Sequence, residues 1–315
     1  MIDTRKPLIE LRNLHRYFGE TRAVQDMSFE VYAGEVFGYI GPNGAGKTTS
    51  MRILATLDEP TAGDAFVDGF SVVEDPDRVR RRLGFMPDYF GTYQNVNVLE
   101  YLDFFARAYG LHAEERKRSI DSVMEFTLLD KLKHKPINGL SKGMKQRLCL
   151  GRTMIHNPSV LILDEPAAGL DPRARIELRE MISQLAELGK AVLISSHILT
   201  ELAEICDKVG IIEQGRLLAV GTVDEISNRT ETTSSVRIRT LDDSAKLAAW
   251  LNNRSDISDV KLIENLITLN HDGDESQQAT LLRELIEARF SIIEFASKTK
   301  SLEDVFLHVT EGRVQ

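Results

Sequence analysis

One glycine-rich segment also carries a lysine and two threonines: Gly41, Pro42, Asn43, Gly44, Ala45, Gly46, Lys47, Thr48 and Thr49. Glycines allow backbone N–H groups to converge on phosphate oxygens, and the start of a helix favours negative charge there. In this spacing Lys47 reaches the β- and γ-phosphates of a nucleotide, and the Thr48 hydroxyl is a ligand of Mg²⁺. The segment therefore predicts a phosphate loop, with an unused glycine turn as the alternative.

Acidic and imidazole side chains follow two other apolar segments. Asp164 and Glu165 come after Val160–Leu163, and His197 comes after Ala191–Ile194 and two serines. A carboxylate at the end of a buried strand is costly unless it meets a cation, so Asp164 is a predicted second ligand of Mg²⁺. Glu165 is predicted to orient and polarise the attacking water. His197 is predicted to donate a hydrogen bond to the γ-phosphate, with a structural histidine as the alternative.

The elements that position these residues follow from the hydrophobic pattern. Val36–Ile40, Val160–Leu163 and Ala191–Ile194 are apolar throughout and are separated by helical stretches, such as Ser50–Leu57. They predict a parallel α/β sheet with the site at its carboxyl edge. Leu8–Leu14 and Ala23–Val31 alternate between apolar and polar residues, which predicts an antiparallel β part before the phosphate loop.

Two further regions have patterns of their own. Between about residues 88 and 157, apolar residues recur at helical spacing and predict an inserted helical subdomain: Val98, Leu99, Leu102, Phe105, Tyr109, Ile120, Val123, Met124 and Leu128. After Gly221 the order β-α-β-β-α-β predicts a small ferredoxin-like α+β domain. The predicted domains are 1–222 and 223–315, joined by a Thr- and Ser-rich linker at Asn228–Ser235.

The composition excludes several classes of protein. The 39 basic and 48 acidic residues give a net charge of -9, which argues against a nucleic-acid partner. The basic cluster at Arg78–Arg82 follows three acidic residues and predicts a solvated helix start rather than a binding patch. No segment approaches the roughly 18 apolar residues of a membrane span, and the first residues do not resemble a secretion signal. A cytosolic location is therefore expected, with Cys149 and Cys206 as buried thiols.

Together with Leu140-Ser141-Lys142-Gly143-Met144-Lys145-Gln146, these motifs resemble the ATPase subunit of ABC transporters. The resemblance implies a head-to-tail dimer with two Mg-ATP at its interface. Each ATP is then held by one subunit's phosphate loop and by the other's signature sequence, where Ser141 and Gly143 face the γ-phosphate. Ala168–Asp171 resembles the D-loop of the family, with Asp171 crossing the interface. Phe18 resembles the aromatic residue that stacks on adenine, and Tyr17 is the alternative.

The sequence departs from the family pattern at four positions. Lys142 and Met144 stand where the signature has Gly and Gln, and Ala168 stands where the D-loop has Ser. Asp88 replaces the Gln that reaches the metal and the attacking water and that transmits the nucleotide state to the membrane subunit. Asp88 can still accept a hydrogen bond from metal-bound water, but it adds negative charge near Glu165.

The resemblance implies an ATP-hydrolysing motor subunit that drives a separate integral membrane permease from the cytoplasmic face of the cell membrane. The partner ATPase is a second copy or a pseudo-symmetric relative. Lys300–Gly312 resembles the closing segment of type-2 ABC exporters, which favours export. An amphipathic helix that packs on its own domain is the alternative for this segment. The alternatives are a soluble ABC ATPase acting on ribosomes or DNA, and a nucleotide-gated switch with little turnover.

Overall fold

The structure, a computed structural model, describes residues 6–89, 91, 95–196, 202–222, 225–226 and 234–298. The chain divides into two compact units, Met1–Val223 and Asp224–Gln315. The strands of the first unit are β1 (Ile9–Phe18), β2 (Thr21–Val31), β3 (Val36–Ile40), β4 (Ala62–Val67), β5 (Phe70–Ser71), β6 (Leu83–Met86), β7 (Val160–Asp164), β8 (Ala191–Ser196), β9 (Lys208–Glu213) and β10 (Arg216–Gly221). Its helices are α1 (Lys47–Leu54), α2 (Pro76–Arg82), α3 (Val98–Ala108), α4 (Ala113–Phe126), α5 (Lys142–Met154) and α6 (Pro172–Glu187), with 3₁₀ turns at Asp130–Leu132 and Ile137–Gly139.

Among the described residues, six strands of the first unit form its central sheet in the order β10-β9-β3-β8-β7-β6. All neighbours are parallel except β9 and β10, which are antiparallel. Every residue of β3, β7 and β8 is buried, as expected for strands covered on both faces. Because these three strands are neighbours and parallel, the residues at their carboxyl ends lie side by side.

A second sheet in the described part of this unit has the order β2-β1-β4-β5 and is antiparallel. Its inner face, which includes Ile9, Leu11 and Leu14, joins one hydrophobic cluster with α1 residues such as Met51. The helix α1 begins at Lys47 and ends at Leu54, before the predicted end at Leu57, because Thr56 adopts a positive φ of 57°. The same cluster contains residues of the central sheet, so the phosphate-loop helix α1 packs between the two sheets.

The predicted helical subdomain contains α3, α4 and α5, which share a separate hydrophobic cluster. An Asn97–Glu100 capping box begins α3, and the Ser141 side chain caps α5. Leu128 was expected on the buried face of the second helix, but this expectation was wrong. The helix α4 ends at Phe126, and Leu128 is exposed with a positive φ of 56°.

The second unit comprises β11 (Ser234–Thr240), α7 (Ser244–Asn252), β12 (Ile257–Ile263), β13 (Leu266–His271), α8 (Glu275–Glu287) and β14 (Ile292–Lys298). Its sheet order, β12-β13-β11-β14, is antiparallel throughout and confirms the ferredoxin-like arrangement. The linker prediction was wrong at its end, because Ser234 and Ser235 pair with β13. Residues 227–233 and the exporter-like segment Lys300–Gly312 lie outside the described residues.

The fold class expected from the sequence is confirmed: a mainly parallel central sheet, an antiparallel β part, a helical subdomain and a small α+β domain. In the described ranges, no helix has the length and apolar character needed to cross a membrane. The cluster Arg78–Arg82 lies on α2, with Arg80, Arg81 and Arg82 in its last turn rather than at its start. Three of its arginines are half exposed and pair with nearby aspartates, so the cluster is a solvated helix surface, but its predicted position at the helix start was wrong.

Candidate functional site

The phosphate-loop segment connects the end of β3 to the start of α1. A Cβ atom at Gly41 would collide with the carbonyl oxygen of Ile212, and one at Gly46 with the carbonyl oxygen of Ala23. Gly46 also has a φ of 103°, where residues with a side chain are strained, and it caps α1. The loop is therefore packed tightly on neighbouring backbone at two positions that only glycine fits.

The Lys47 side chain folds back into this loop. Its ammonium donates hydrogen bonds to the carbonyl oxygens of Gly41 at 2.5 Å and Pro42 at 3.1 Å. Burial lowers the pKa of Lys47, while the nearby carboxylates of Glu165 and Asp164 oppose that shift. The loop thus holds a buried cation within the field of both carboxylates.

Asp164 links the phosphate loop to the neighbouring strand β8. The Thr48 hydroxyl donates to Asp164 Oδ2 at 2.9 Å, and the Ser195 hydroxyl donates to Asp164 Oδ1 at 2.6 Å. Burial raises the pKa of Asp164, these two hydrogen bonds lower it, and the charges of Asp88 and Glu165 raise it. Mg²⁺ is usually held in such sites by one or two protein oxygens together with substrate phosphates. The adjacent oxygens of Thr48 and Asp164 fit that requirement.

Ser195 is a residue of the site that sequence reasoning missed. It is fully buried, it donates to Asp164, and its Oγ accepts the backbone N–H of Glu165 at 2.9 Å. The sequence shows a serine near the end of an otherwise apolar strand. Its role becomes visible only when β7 and β8 are known to be neighbouring strands in which Asp164 lies opposite Ser195.

Glu165 and Asp88 both lie at this edge of the sheet. Glu165 has a positive φ of 49°, so its backbone turns sharply out of β7, and the Ser195 hydrogen bond holds the peptide there. Asp88 is exposed and follows β6, whose Met86 pairs with Leu163 of β7. Its charge acts on Asp164. His197 lies outside the described residues.

The signature segment and the D-loop segment are neighbours within one chain. Ser141 caps α5 by accepting the Met144 N–H at 3.3 Å, and Asp171 caps α6 by accepting the Ala174 N–H at 2.9 Å. A Cβ atom at Gly143 would lie 3.0 Å from that of Ala174, so the two helices pack closely. The Lys142 ammonium lies against Gly169 of the D-loop segment. Ser141 and Asp171 are both exposed.

The two aromatic candidates at the end of β1 differ in their surroundings. The Tyr17 hydroxyl lies 2.8 Å from His15 Nδ1, and the Arg22 guanidinium lies 5.8 Å from the Tyr17 ring centre. Phe18 is 48% exposed, and the Arg16 guanidinium lies over its ring at 4.3 Å from the centre. Phe18 therefore offers an open aromatic surface.

Two family models match the chain. One described as "ABC transporter" covers residues 24–168, and one described as "ATP-binding protein DrrA1-3-like, C-terminal domain" covers residues 221–310. The chain is 33% identical to YxlF, an uncharacterised ABC transporter ATP-binding protein of Bacillus subtilis (strain 168), over 97% of this chain and 100% of YxlF. It is also 33% identical to the bacitracin transport ATP-binding protein BcrA of Bacillus licheniformis, over 97% of this chain and 98% of BcrA.

A solved dimeric structure of a bacterial ABC transporter cassette has the same fold as the larger unit. The TM-score is 0.62 at 25% identity, and the match covers 68% of this chain and 98% of that cassette.

Proposed function

The chain belongs to the ATP-binding subunits of ABC transporters, and from this premise we propose that it hydrolyses ATP to drive a separate integral membrane permease, for export. The observation that carries the proposal is the hydrogen-bonded series Thr48–Asp164–Ser195 beside the Lys47 ammonium. These groups come from three neighbouring parts of the sheet edge and offer a cation and oxygen ligands to a Mg-nucleotide.

Each residue of this edge has a proposed role. The backbone N–H groups of residues 41–49 bind the phosphate oxygens, and Lys47 binds the β- and γ-phosphates. Thr48 and Asp164 hold Mg²⁺, with Asp88 as a further candidate through water. Bound Mg²⁺ supplies charge neutralisation on the phosphates. The hydrogen bond from Ser195 lowers the pKa of Asp164 and so favours its ionised form.

Glu165 is the proposed base that orients the attacking water, and His197 is proposed to donate to the γ-phosphate. The hydrogen bond from the Glu165 amide to Ser195 supports the first role, because it holds the Glu165 backbone at the edge of the sheet. Phe18 is the proposed adenine-stacking residue. Its exposure and the contact of the Tyr17 hydroxyl with His15 support Phe18 over Tyr17.

The proposed working unit is a head-to-tail dimer, of two copies or of this chain and a relative, around two Mg-ATP. The exposed positions of Ser141 and Asp171 at two adjacent helix starts support their contact with the opposite subunit. Closure by ATP and reopening after hydrolysis would move a permease at the cytoplasmic face of the cell membrane. The transport function in the name of BcrA supports the coupling to a permease.

A nucleotide-gated switch with little turnover is the second candidate. The observation that favours it is Asp88, an additional carboxylate whose charge reaches Asp164. Steady-state phosphate release by the chain in complex with its permease separates the two functions. A switch with little turnover releases little phosphate in the steady state, whereas a motor releases phosphate in every transport cycle.

Mixed dimers test the shared-site model. Lys47→Ala disables one phosphate loop, and Ser141→Arg blocks one signature by its bulk, so each variant homodimer should be inactive. A heterodimer of the two variants in a head-to-tail arrangement has one intact site and one site with both lesions. We expect ATPase activity to reappear on mixing.

Differential tagging confirms that heterodimers form. A separate dimer with one intact site serves as the control that a single site can hydrolyse ATP. If the mixture is no more active than the average of its components, while that control is active, the shared-site model is wrong. Ser141 then only caps α5.

A further inference from the structure

The Phe18 ring is covered on one face by the Arg16 guanidinium. The Arg16 guanidinium carbon lies 4.3 Å from the Phe18 ring centre, and the two side chains extend from the same end of β1. Because the guanidinium covers one face of the ring, the 48% of Phe18 that is exposed must lie on the other face and the edge. The ring therefore presents a single open face.

The Arg16 side chain is itself anchored. Its Nη2 atom lies 2.7 Å from Asp58 Oδ1, and both side chains are largely buried, with 23% and 18% exposed. Its Nε atom is buried and, among the described residues, has no hydrogen-bond partner. Among the described residues, Asp58 and the Phe18 ring are two contacts that hold the guanidinium in place.

The anchor also joins Phe18 to the phosphate loop. Asp58 follows the end of α1 at Leu54, and the start of α1 is the end of the phosphate loop. Phe18 and Arg16 both lie on β1, and Lys47 and Thr48 lie on α1. The ion pair of Arg16 with Asp58 therefore connects β1 to the segment that follows α1. The ion pair and the ring contact therefore both oppose a movement of the Phe18 ring relative to the phosphate loop.

We propose that Arg16 is a positioning residue for nucleotide binding: it stacks behind Phe18 and, through Asp58, holds the ring at a set distance from the phosphate loop, ready for adenine. This inference rests on the proposed function, in which adenine stacks on Phe18. A ring held in one orientation loses less conformational freedom when the base binds. The Arg16 guanidinium is attracted to the face of the ring that it covers, and this attraction helps to hold the ring in that orientation.

The test compares equilibrium binding of MgATP with that of magnesium tripolyphosphate, which has the phosphates but no base. For Arg16→Gln we expect the Kd for MgATP to rise about threefold to tenfold. The Kd for tripolyphosphate should stay within about twofold of the parent, because Arg16 lies at the base end of the site. In steady-state assays KM for ATP should rise while kcat is unchanged.

The same strand offers a matched control. Arg12 lies over the Phe66 ring at the same 4.3 Å and pairs with Glu10, away from the phosphate loop. Arg12→Gln removes an equivalent contact and should leave both Kd values unchanged. Asp58→Asn keeps the Arg16 cation but weakens its anchor, so it should raise the Kd for MgATP in the same direction. It also tests the inference if Arg16→Gln does not fold.

Several outcomes would overturn the inference. One is an unchanged Kd for MgATP in a folded Arg16→Gln variant. Another is an equal loss of affinity for MgATP and for tripolyphosphate, which would indicate a general structural effect. A double variant Arg16→Gln, Phe18→Ala that binds MgATP clearly more weakly than Phe18→Ala alone would show that Arg16 does not act through the ring. If Phe18→Ala weakens MgATP binding and Arg16→Gln does not, this inference alone fails. If Phe18→Ala has no effect, the adenine position fails with it.

Discussion

Replacing Ser195 by alanine should damage the candidate site through two hydrogen bonds at once. The hydroxyl of this fully buried residue donates to Asp164 at 2.6 Å and accepts the Glu165 N–H at 2.9 Å. A hydrogen bond to a charged group contributes about 1.5–3 kcal/mol, and an unsatisfied buried N–H costs about 1–3 kcal/mol. With partial relaxation, we expect about 3 kcal/mol lower stability of the larger unit and a lower melting temperature.

The same substitution should change the pH dependence of hydrolysis. Burial already raises the pKa of Asp164, and the Ser195 hydrogen bond opposes that rise. Without the hydroxyl the pKa of Asp164 increases further, so the carboxylate needed for Mg²⁺ is protonated at a higher pH. The acidic limb of the pH–rate profile should therefore move to higher pH, and kcat should fall at least about tenfold because Glu165 loses its backbone anchor.

Ser71 provides a matched control, because it makes the same kind of contacts elsewhere. It is buried on β5, it donates to Asp64 at 2.6 Å, and it accepts the N–H groups of Val73 and Glu74. Ser71→Ala should lower the melting temperature comparably while kcat and the acidic limb stay at parental values. The reasoning is refuted if Ser195→Ala hydrolyses ATP at the parental rate with an unshifted acidic limb.

Three further substitutions test the charges of the site. Glu165→Gln should leave MgATP affinity nearly intact and lower the rate of hydrolysis at least about 100-fold, because the amide is a poor base. Phosphate release measures the rate, and a sizing column measures dimer formation in the presence of ATP. Asp88→Gln should bind ATP within a few-fold of the parent and move the acidic limb to lower pH, since its charge raises the pKa of Asp164; a large loss of affinity would contradict it. Asp164→Asn should raise the melting temperature at neutral pH. The raised pKa means that ionisation of Asp164 costs stability there, so the gain should vanish in acid, below the unfolded-state pKa.

The local parts of the site could be read from the sequence. The phosphate loop is one continuous segment whose glycines, lysine and threonines act through backbone geometry, so its spacing alone predicted a strand, a loop and a helix start. The apolar runs that end at Asp164 and Ser196 likewise predicted buried parallel strands. Helix ends were predicted less well, as at Leu128, because single residues with positive φ end them.

Contacts between distant segments were decided only by the tertiary structure. The hydrogen bond between Thr48 and Asp164 joins residues 116 positions apart, and that between Ser195 and Asp164 joins residues 31 positions apart. The order of the strands in the sheet creates both contacts, and no local pattern encodes that order. The ion pair of Arg16 with Asp58 was hidden from sequence reasoning for the same reason, because it joins β1 to the segment after α1, and only folding brings these two together.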